Sequence, residues 1–461
     1  MVKSSSNLAT ISSLFVIIVL ILAIAGSIFL SNVTRSAIPD HLLNHPVEYT
    51  PNLISENTAN ELNKLVREME EFPSNIASDL KTGNWNIRHL HVGEAQASKK
   101  RVNNDSTISY SCDHPFMVPS QNKDECSLPQ RVDVGRHFVL TGGADGARES
   151  FQSTIQRVTS FGRYFMKKNS DPSSIFNQPI VQSLFDDEKF QDAAKRICPK
   201  DKQILDTFQF NVIMQIPGQT VAAHIDSPYF WGAGREDFPQ WLLAVMVFSN
   251  LFHKDFIDQV QVVGYLSDIN NDKNNDDIGG EFLYYLNNNE GRYDKVAADY
   301  RAGSAVDGSK LVHASRIYKP SVKVPYMSKD SHSALKYVGG EKWNLVVDDK
   351  VIAEYTSSEL RVSIVYRARC FTDEDELKRY EEYPQEKHMD LESVLHKLKL
   401  DLIQKNIVSK EKIENMDRLE FAILLISEYI KYPLPSIDSQ PYMPWNYCAI
   451  TKLYPWLGEV C

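Results

Sequence analysis

The chain has 461 residues, 43% hydrophobic and 24% charged. This is the balance of a folded globular protein, and the length exceeds one ordinary compact core, so a main domain with additions is expected. The formal net charge of −10, with no offsetting basic run, excludes a general nucleic-acid binder, which needs a basic face.

Residues 1–35 differ from the rest. Lys3 precedes a polar stretch, and Leu14 to Leu30 is almost wholly apolar. With Leu8, Ala9 and Ile11 the segment reaches the roughly 20 apolar residues that span a bilayer. A cleaved signal peptide competes with this reading, because Ala23-Ile24-Ala25 has the small residues of a cleavage site. Ile28, Phe29 and Leu30 carry the apolar run past that site and favour an uncleaved anchor. Residues 1–35 are therefore read as a cytosolic tail and transmembrane helix. The remainder is expected in the secretory-pathway lumen (ER or Golgi) or outside the cell. Six cysteines suit an oxidising compartment. Cys112 with Cys126 and Cys448 with Cys461 are the short-loop disulfide candidates, and free buried thiols are the alternative for Cys198, Cys370 and the rest. Asn32-Val33-Thr34 and Asn104-Asp105-Ser106 are glycosylation sequons, as in a glycoprotein.

Residues 36–204 read as a mixed helical region. Helical spacing predicts helices over 56–71, 151–168 and 186–197, and the polar segment 95–130 reads as a long loop. From 205 to 372 the texture changes to short apolar or alternating runs bounded by turn residues: FQFNVIMQI, WLLAVMVF, QVQVVGYL, GEFLYYL, KLVHAS, WNLVVDD, KVIAEYT and LRVSIVYRA. Many short strands in series predict an all-β sandwich or barrel, and Asp348-Asp349 reads as a hairpin turn. Residues 373–461 return to helical texture, with amphipathic segments at 373–382, 391–403 and 416–432. The tail from Pro433 is rich in Pro, Trp and Tyr.

His-x-Asp on a strand aims both side chains at one point, because residues i and i+2 share a face. Two histidines and a carboxylate with open adjacent positions suit a non-haem iron(II) centre. The triplet occurs three times: His224-Ile225-Asp226, His253-Lys254-Asp255 and His388-Met389-Asp390. Context selects the first. It follows a strand and Pro217-Gly218, and leads into SPYFWGAGREDFPQW. His388 lies between a proline-containing loop and a helix, and His253 has no turn-strand pattern placing it at a barrel mouth. The segment DINNDKNNDD (268–277) has the composition of a calcium loop, but it has Lys273 at the turn-glycine position and Gly279 at the closing-glutamate position. His89-Leu90-His91 has no evident partners.

Several segments, in order, resemble the iron(II)/2-oxoglutarate-dependent dioxygenase superfamily, especially its prolyl-hydroxylase-like branch. IPGQTVAAHID resembles the strand of the first two ligands. VVGYLSD and Gly279 to Phe282 resemble the central hairpin. AVDGSKLVHAS resembles the strand of the distal histidine, His313, and ELRVSIVYRARCF resembles the closing strand with Arg361 and Ser363. The resemblance covers roughly 205–372. It implies an α+β fold with a double-stranded β-helix (jelly-roll) core and flanking helices. It further implies catalytic iron(II) ligands His224, Asp226 and His313, with 2-oxoglutarate as cosubstrate held by Arg361 and Ser363, and ascorbate as an accessory. The segment between His313 and Arg361 is longer than the family's usual spacing and reads as an inserted hairpin. Lys323 is a second candidate for the cosubstrate carboxylate, and His332 an alternative third ligand.

The alternation in LRVSIVYRA agrees: Leu360, Val362, Ile364 and Tyr366 share one face, and Arg361, Ser363 and Arg367 the other. A buried arginine is costly unless it meets an anion, and its fork matches a carboxylate. The expected activity is oxidation of a protein substrate of prolyl or lysyl type, or of a small molecule, with release of succinate and CO2. Arg235 or Glu236 is a candidate for orienting a polar group of the substrate. The alternatives are a catalytically silent jelly-roll protein that binds a ligand or partner, and a dioxygenase that needs no 2-oxoglutarate.

Overall fold

The computed structural model describes residues 38–75, 83–85, 91–99, 118–119, 125–132, 156–167, 173–221, 224–235, 237–238, 240–269, 278–286, 293–327, 331–416 and 418–430. The expected anchor, both sequons, the calcium-like loop, the tail from Pro433 and the cysteine pairs 112/126 and 448/461 lie wholly or in essential part outside these residues. Among the described residues no helix is long and apolar enough to cross a membrane.

In chain order, the main elements are β1 (Val47–Thr50), α1 (Glu56–Glu68), β2 (Glu71–Asn75), β3 (Ser160–Met166), α2 (Pro179–Asp186), α3 (Glu188–Ile197), β4 (Ile204–Gln215), α4 (Gln240–Ser249), β5 (Gln259–Tyr265), β6 (Phe282–Tyr284) and β7 (Asp294–Val296). There follow β8 (Gly303–Val306), β9 (His313–Ser315), β10 (Ser333–Gly339), β11 (Lys342–Val347), β12 (Lys350–Thr356), β13 (Arg361–Phe371), α5 (Glu374–Glu381), α6 (Leu391–Gln404), α7 (Lys410–Glu414) and α8 (Arg418–Tyr429). Ten strands form one antiparallel sheet in the order β1-β8-β5-β13-β4-β3-β2-β10-β11-β12. A smaller sheet, β7-β6-β9, holds His313, and His224 adds to its free edge by an antiparallel bridge. The result is a mixed helix-and-sheet architecture of jelly-roll type.

Strand β13 decides the layering. All eleven of its residues are buried, because β5 and β4 flank it and both of its faces are covered. One face carries Val362, Ile364, Tyr366, Ala368 and Cys370 into the main apolar core with α1, α2 and α3. The helices meet it with matching stripes. In α1, Ser55 caps the first turn by accepting from the Thr58 amide, and Ala59, Leu62, Leu65 and Val66 are buried at helical spacing. In α3, Asp187 caps through the Phe190 amide, and Phe190, Ala193, Ala194 and Ile197 are buried. Cys198, at the end of α3, forms a disulfide with Cys370 on β13. This long-range link was not among the short-loop candidates.

The structure corrects three expectations. WLLAVMVF is not a strand but lies in α4, buried on almost every side against α8 and its neighbours. A short apolar run without a polar face cannot be assigned by periodicity, so tertiary packing decides. The segment 151–168 is not one helix: after a short helical turn, Ser160–Met166 pairs along its length with β4. Within the presumed loop 95–130, the backbone of His91–Lys99 pairs with Glu125–Val132 in a separate four-stranded sheet. The inserted hairpin is present as β10 to β12. Asp348 and Asp349 both have positive φ (47° and 62°), as a two-residue turn between twisted strands requires.

Candidate metal centre

His224 and His313 face each other through a reciprocal pair of backbone hydrogen bonds, His224 N to His313 O at 2.9 Å and the reverse at 3.0 Å. Their ring centroids lie 4.3 Å apart. Two residues on, Asp226 projects to the same side, with His224 Nε2 3.8 Å from Asp226 Oδ1. One ligand atom from each of the three lies within 4.8 Å of the other two.

The surroundings fix the state of these groups. His313 Nδ1 lies 2.8 Å from the Leu311 carbonyl oxygen. A carbonyl only accepts, so Nδ1 carries the proton and the Nε2 lone pair is free. Gln261 Nε2 donates to that lone pair at 3.1 Å. Burial, reinforced by His224, pushes the His313 pKa down to about 4, so the ring is neutral at pH 7. For Asp226, burial raises the pKa, but Arg367 and the two histidines outweigh it, and the carboxyl sits below the usual carboxylate range. Asp226 Oδ2 is buried without a hydrogen-bond donor. Arg367 Nη2 is 3.8 Å from it and instead donates to the Ser227 carbonyl and to Gln259 Oε1, each at 3.2 Å. The side chain of His224 is one-third exposed, so the triad opens on that side.

Backbone economy makes this approach possible. The Asp226 amide donates to the Gly308 carbonyl at 2.8 Å. A Cβ at Gly308 would stand 2.1 Å from Asp226 Oδ2, so a side chain there would displace this carboxylate.

Arg361 and Ser363 lie on the inner face of β13, the face that also carries Arg367 and Arg369. Arg361 is 5% exposed and donates from Nη1 to Gln215 Oε1 at 2.6 Å. Its guanidinium lies 5.5 Å from the centre of the Tyr265 ring, and Tyr265 bonds Ser304 at 3.0 Å. Among the described residues no carboxylate is within ion-pair distance of Arg361, and burial lowers its pKa. Arg361 Nε and Gln215 Nε2 are both buried donors without an acceptor. The Gly279-Gly280 pair admits this packing. Both have positive φ, and a Cβ at Gly280 would press on Arg361 Cδ and Nε at 3.1 Å.

The other candidates fall away from this place. Lys323 and His332 are exposed, and the His332 backbone amide donates to Asp348 in the inserted hairpin. His253 is exposed and bonds the Asn250 carbonyl. His388 pairs with Asp237 at 2.9 Å. The aromatic residues after Asp226 are packed: Phe230 joins the α4 and α8 core, while Trp231 meets Tyr380 and Tyr383 edge-on. A surface cleft of about 340 Å³ lies elsewhere, between α1 and the inserted hairpin, and contains none of the triad. Sequence reasoning missed Gln261, Gly308, Gln215 and Tyr265. Arg367 was legible only as a member of the Arg361 face.

No family model and no curated protein matches the chain. Solved structures that it resembles include a prolyl-4-hydroxylase from Pseudomonas putida, at 13% identity and TM-score 0.23, covering 46% of this chain and 71% of that one. Another is a prolyl hydroxylase from Trichoplax adhaerens in complex with a hypoxia inducible factor peptide fragment, at 13% identity and TM-score 0.25, covering 49% and 67%. A third is HygX from Streptomyces hygroscopicus with nickel and 2-oxoglutarate bound, at 11% identity and TM-score 0.23, covering 45% and 69%.

Proposed function

We propose that this chain is a non-haem iron(II), 2-oxoglutarate-dependent oxygenase whose metal is held by His224, Asp226 and His313. The observation that carries the reading is the convergence of two histidines and one buried carboxylate on a point open at one edge. The donors fit iron(II): the lone pair of His313 is free of its proton, and Asp226 Oδ2 lacks any hydrogen-bond donor. Arg361, a buried cation with no carboxylate at ion-pair distance among the described residues, fits the distal carboxylate of 2-oxoglutarate. Stranding such a charge costs on the order of several kcal/mol, so an anion at this position is expected. Ser363 adds a hydroxyl beside it, and Gln215 Nε2 a second unused donor.

Iron and cosubstrate together supply oxygen activation when bound, and the protein's task is to hold and aim them. Leu311 orients His313, Arg367 and Gly308 set the carboxylate of Asp226, and Val263, Val365 and Ile213 belong to one apolar cluster with Tyr265, the ring that Arg361 faces. The dissociation of roles is specific: the triad holds metal, and Arg361 distinguishes 2-oxoglutarate from other anions. Within this reading the substrate is a protein of prolyl or lysyl type or a small molecule, ascorbate maintains the reduced metal, and the site works in the secretory lumen.

The test is succinate formation by the iron-loaded chain with 2-oxoglutarate and oxygen. Succinate that vanishes in His224→Ala and Asp226→Ala, and falls in Arg361→Ala, supports the reading. Undiminished succinate in the two triad variants removes it. A metal-dependent reaction indifferent to 2-oxoglutarate and to Arg361 points instead to the other dioxygenase chemistry.

A further inference from the structure

The turn between β8 and β9, Asp307 to Leu311, touches two members of the triad at once. Its Gly308 carbonyl accepts the Asp226 amide at 2.8 Å, and its Leu311 carbonyl accepts the Nδ1 proton of His313 at 2.8 Å. A shift of this turn therefore moves a carboxylate and an imidazole relative to each other. Metal affinity depends on their separation, so the turn needs a support that does not yield.

Part of the support is internal. Asp307 Oδ1 accepts from the Ser309 amide at 3.1 Å and from the Ser309 hydroxyl at 2.5 Å. The Asp307 carbonyl accepts the Lys310 and Leu311 amides at 3.1 and 3.0 Å. These bonds shape the turn, but they do not tie it to the large sheet.

Lys310 makes that tie. Its ammonium donates to Asp258 Oδ1, lies 3.5 Å from Asp307 Oδ2 and stands 4.7 Å from the centre of the Phe256 ring. Asp258 directly precedes β5, and its carbonyl accepts the amide of Cys370 on the central strand β13 at 2.9 Å. The far end of the bridge is thus fixed to the best-covered part of the sheet. Lys202 holds the other oxygen of Asp258 at 2.7 Å. The Lys310 side chain is 24% exposed and the two carboxylates 13% and 7%, so water competes little for these contacts. Burial lowers the Lys310 pKa, but Asp307 and Asp258 outweigh it and hold the ammonium above its ordinary value. Burial raises the Asp258 pKa, and Lys310 and Lys202 outweigh it in the opposite sense. Both partners are charged at neutral pH. A largely buried ion pair is poor evidence for stability, because desolvation cancels much of the attraction. What it supplies here is a fixed direction and distance between two segments.

We infer that Lys310 is a positioning residue for the metal centre. By bridging Asp307 to Asp258 it fixes the Asp307–Leu311 turn to the large sheet, and through Gly308 and Leu311 it sets Asp226 against His313. Its effect is exerted through the backbone of the turn. The inference rests on the metal-binding reading of the triad and adds a residue to it.

The experiment titrates the full chain with cobalt(II) and reads both affinity and the shape of the visible absorption bands, with urea unfolding of each variant alongside. Lys310→Met keeps much of the aliphatic stem and removes the charge. Its cobalt(II) affinity falls by about tenfold, the lower end of what losing a group behind a metal ligand costs, and the bands shift as the ligand geometry changes. Lys310→Arg recovers most of both. Lys202→Met takes the other cation from Asp258 and leaves the turn's own contacts, so its loss is smaller. Wild-type affinity and bands in a folded Lys310→Met overturn the inference. Equal losses in Lys310→Met and Lys202→Met also overturn it, because the cluster then serves only the fold around Asp258. If Lys310→Met does not fold, Asp258→Asn tests the same bridge: shifted bands are expected, and wild-type bands overturn the inference. Absence of cobalt(II) bands in the wild type is a different failure: it removes the metal-binding reading beneath the inference.

Discussion

Asp226 and Gly308 are in mutual contact: the Asp226 amide donates to the Gly308 carbonyl at 2.8 Å, and the carboxylate lies where a Gly308 side chain would be. The metal-binding carboxylate of the proposed site therefore depends on the absence of a side chain five residues before His313.

Gly308→Ala should displace Asp226 Oδ2, because a 2.1 Å approach cannot be accommodated by backbone neighbours. The expected outcome is a chain that still folds and loses metal affinity by about tenfold or more, a loss comparable to removing one charge-assisted contact. Titration with cobalt(II), followed by absorption, checks it. Unchanged affinity would show that Asp226 is not a ligand or that the turn relaxes.

Arg361→Ala should raise the KM for 2-oxoglutarate by about 10- to 100-fold, the range for a hydrogen bond to a charged group. Metal affinity should stay as in the wild type, since Arg361 contacts none of the triad. Arg361→Lys should recover only part, because an ammonium lacks the two-point fork. Succinate formation against cosubstrate concentration measures both. A KM that does not move would return attention to another cation.

Acid should destabilise the metal-free protein through His313. Its folded pKa of about 4 is below the ordinary 6.5, so the unfolded chain takes up the proton first as pH falls. This contribution is complete above about pH 6.5 and is lost progressively down to pH 4, amounting to about 3 kcal/mol. Urea unfolding at pH 7.5, 6 and 5 checks it, with His313→Phe as the control in which this slope disappears. Metal affinity of the folded protein should fall only as pH approaches and passes about 4, where the folded His313 takes up the proton that competes for Nε2.

Replacing Cys198 and Cys370 together by serine should cost about 2–5 kcal/mol, the usual range for a native disulfide closing a long loop. The link joins α3 to the central strand β13 across 172 residues. A lowered Tm in the double variant, and a comparable drop when the wild type is reduced, is the expected result. Equal Tm values would place its role outside stability.

Much of the fold was legible because its signals are local. The alternation in Arg361–Phe371 separates the lumen face from the core face, and α1, α3, α5 and α6 show the helical stripe or acidic first turn of their segments. The misread segments lack such a contrast. Gln240–Ser249 is apolar on all sides, and Ser160–Met166 has helical spacing but a strand partner in β4. The three His-x-Asp triplets share one spacing and flanking sequence singled out the first; of the three, only His224 lies opposite another histidine.

The sequence by itself determined the strand texture, the His-x-Asp geometry and the polar face of β13, because each depends on spacings of two to four residues along one chain segment. The tertiary structure decided the rest. Which carboxylate serves Arg369, which arginine shares Asp226, which cysteines join and which glycine yields space are all settled between segments far apart in sequence. Those choices follow from sheet order and register, and a one-residue shift in either strand would turn the same side chains to the opposite face.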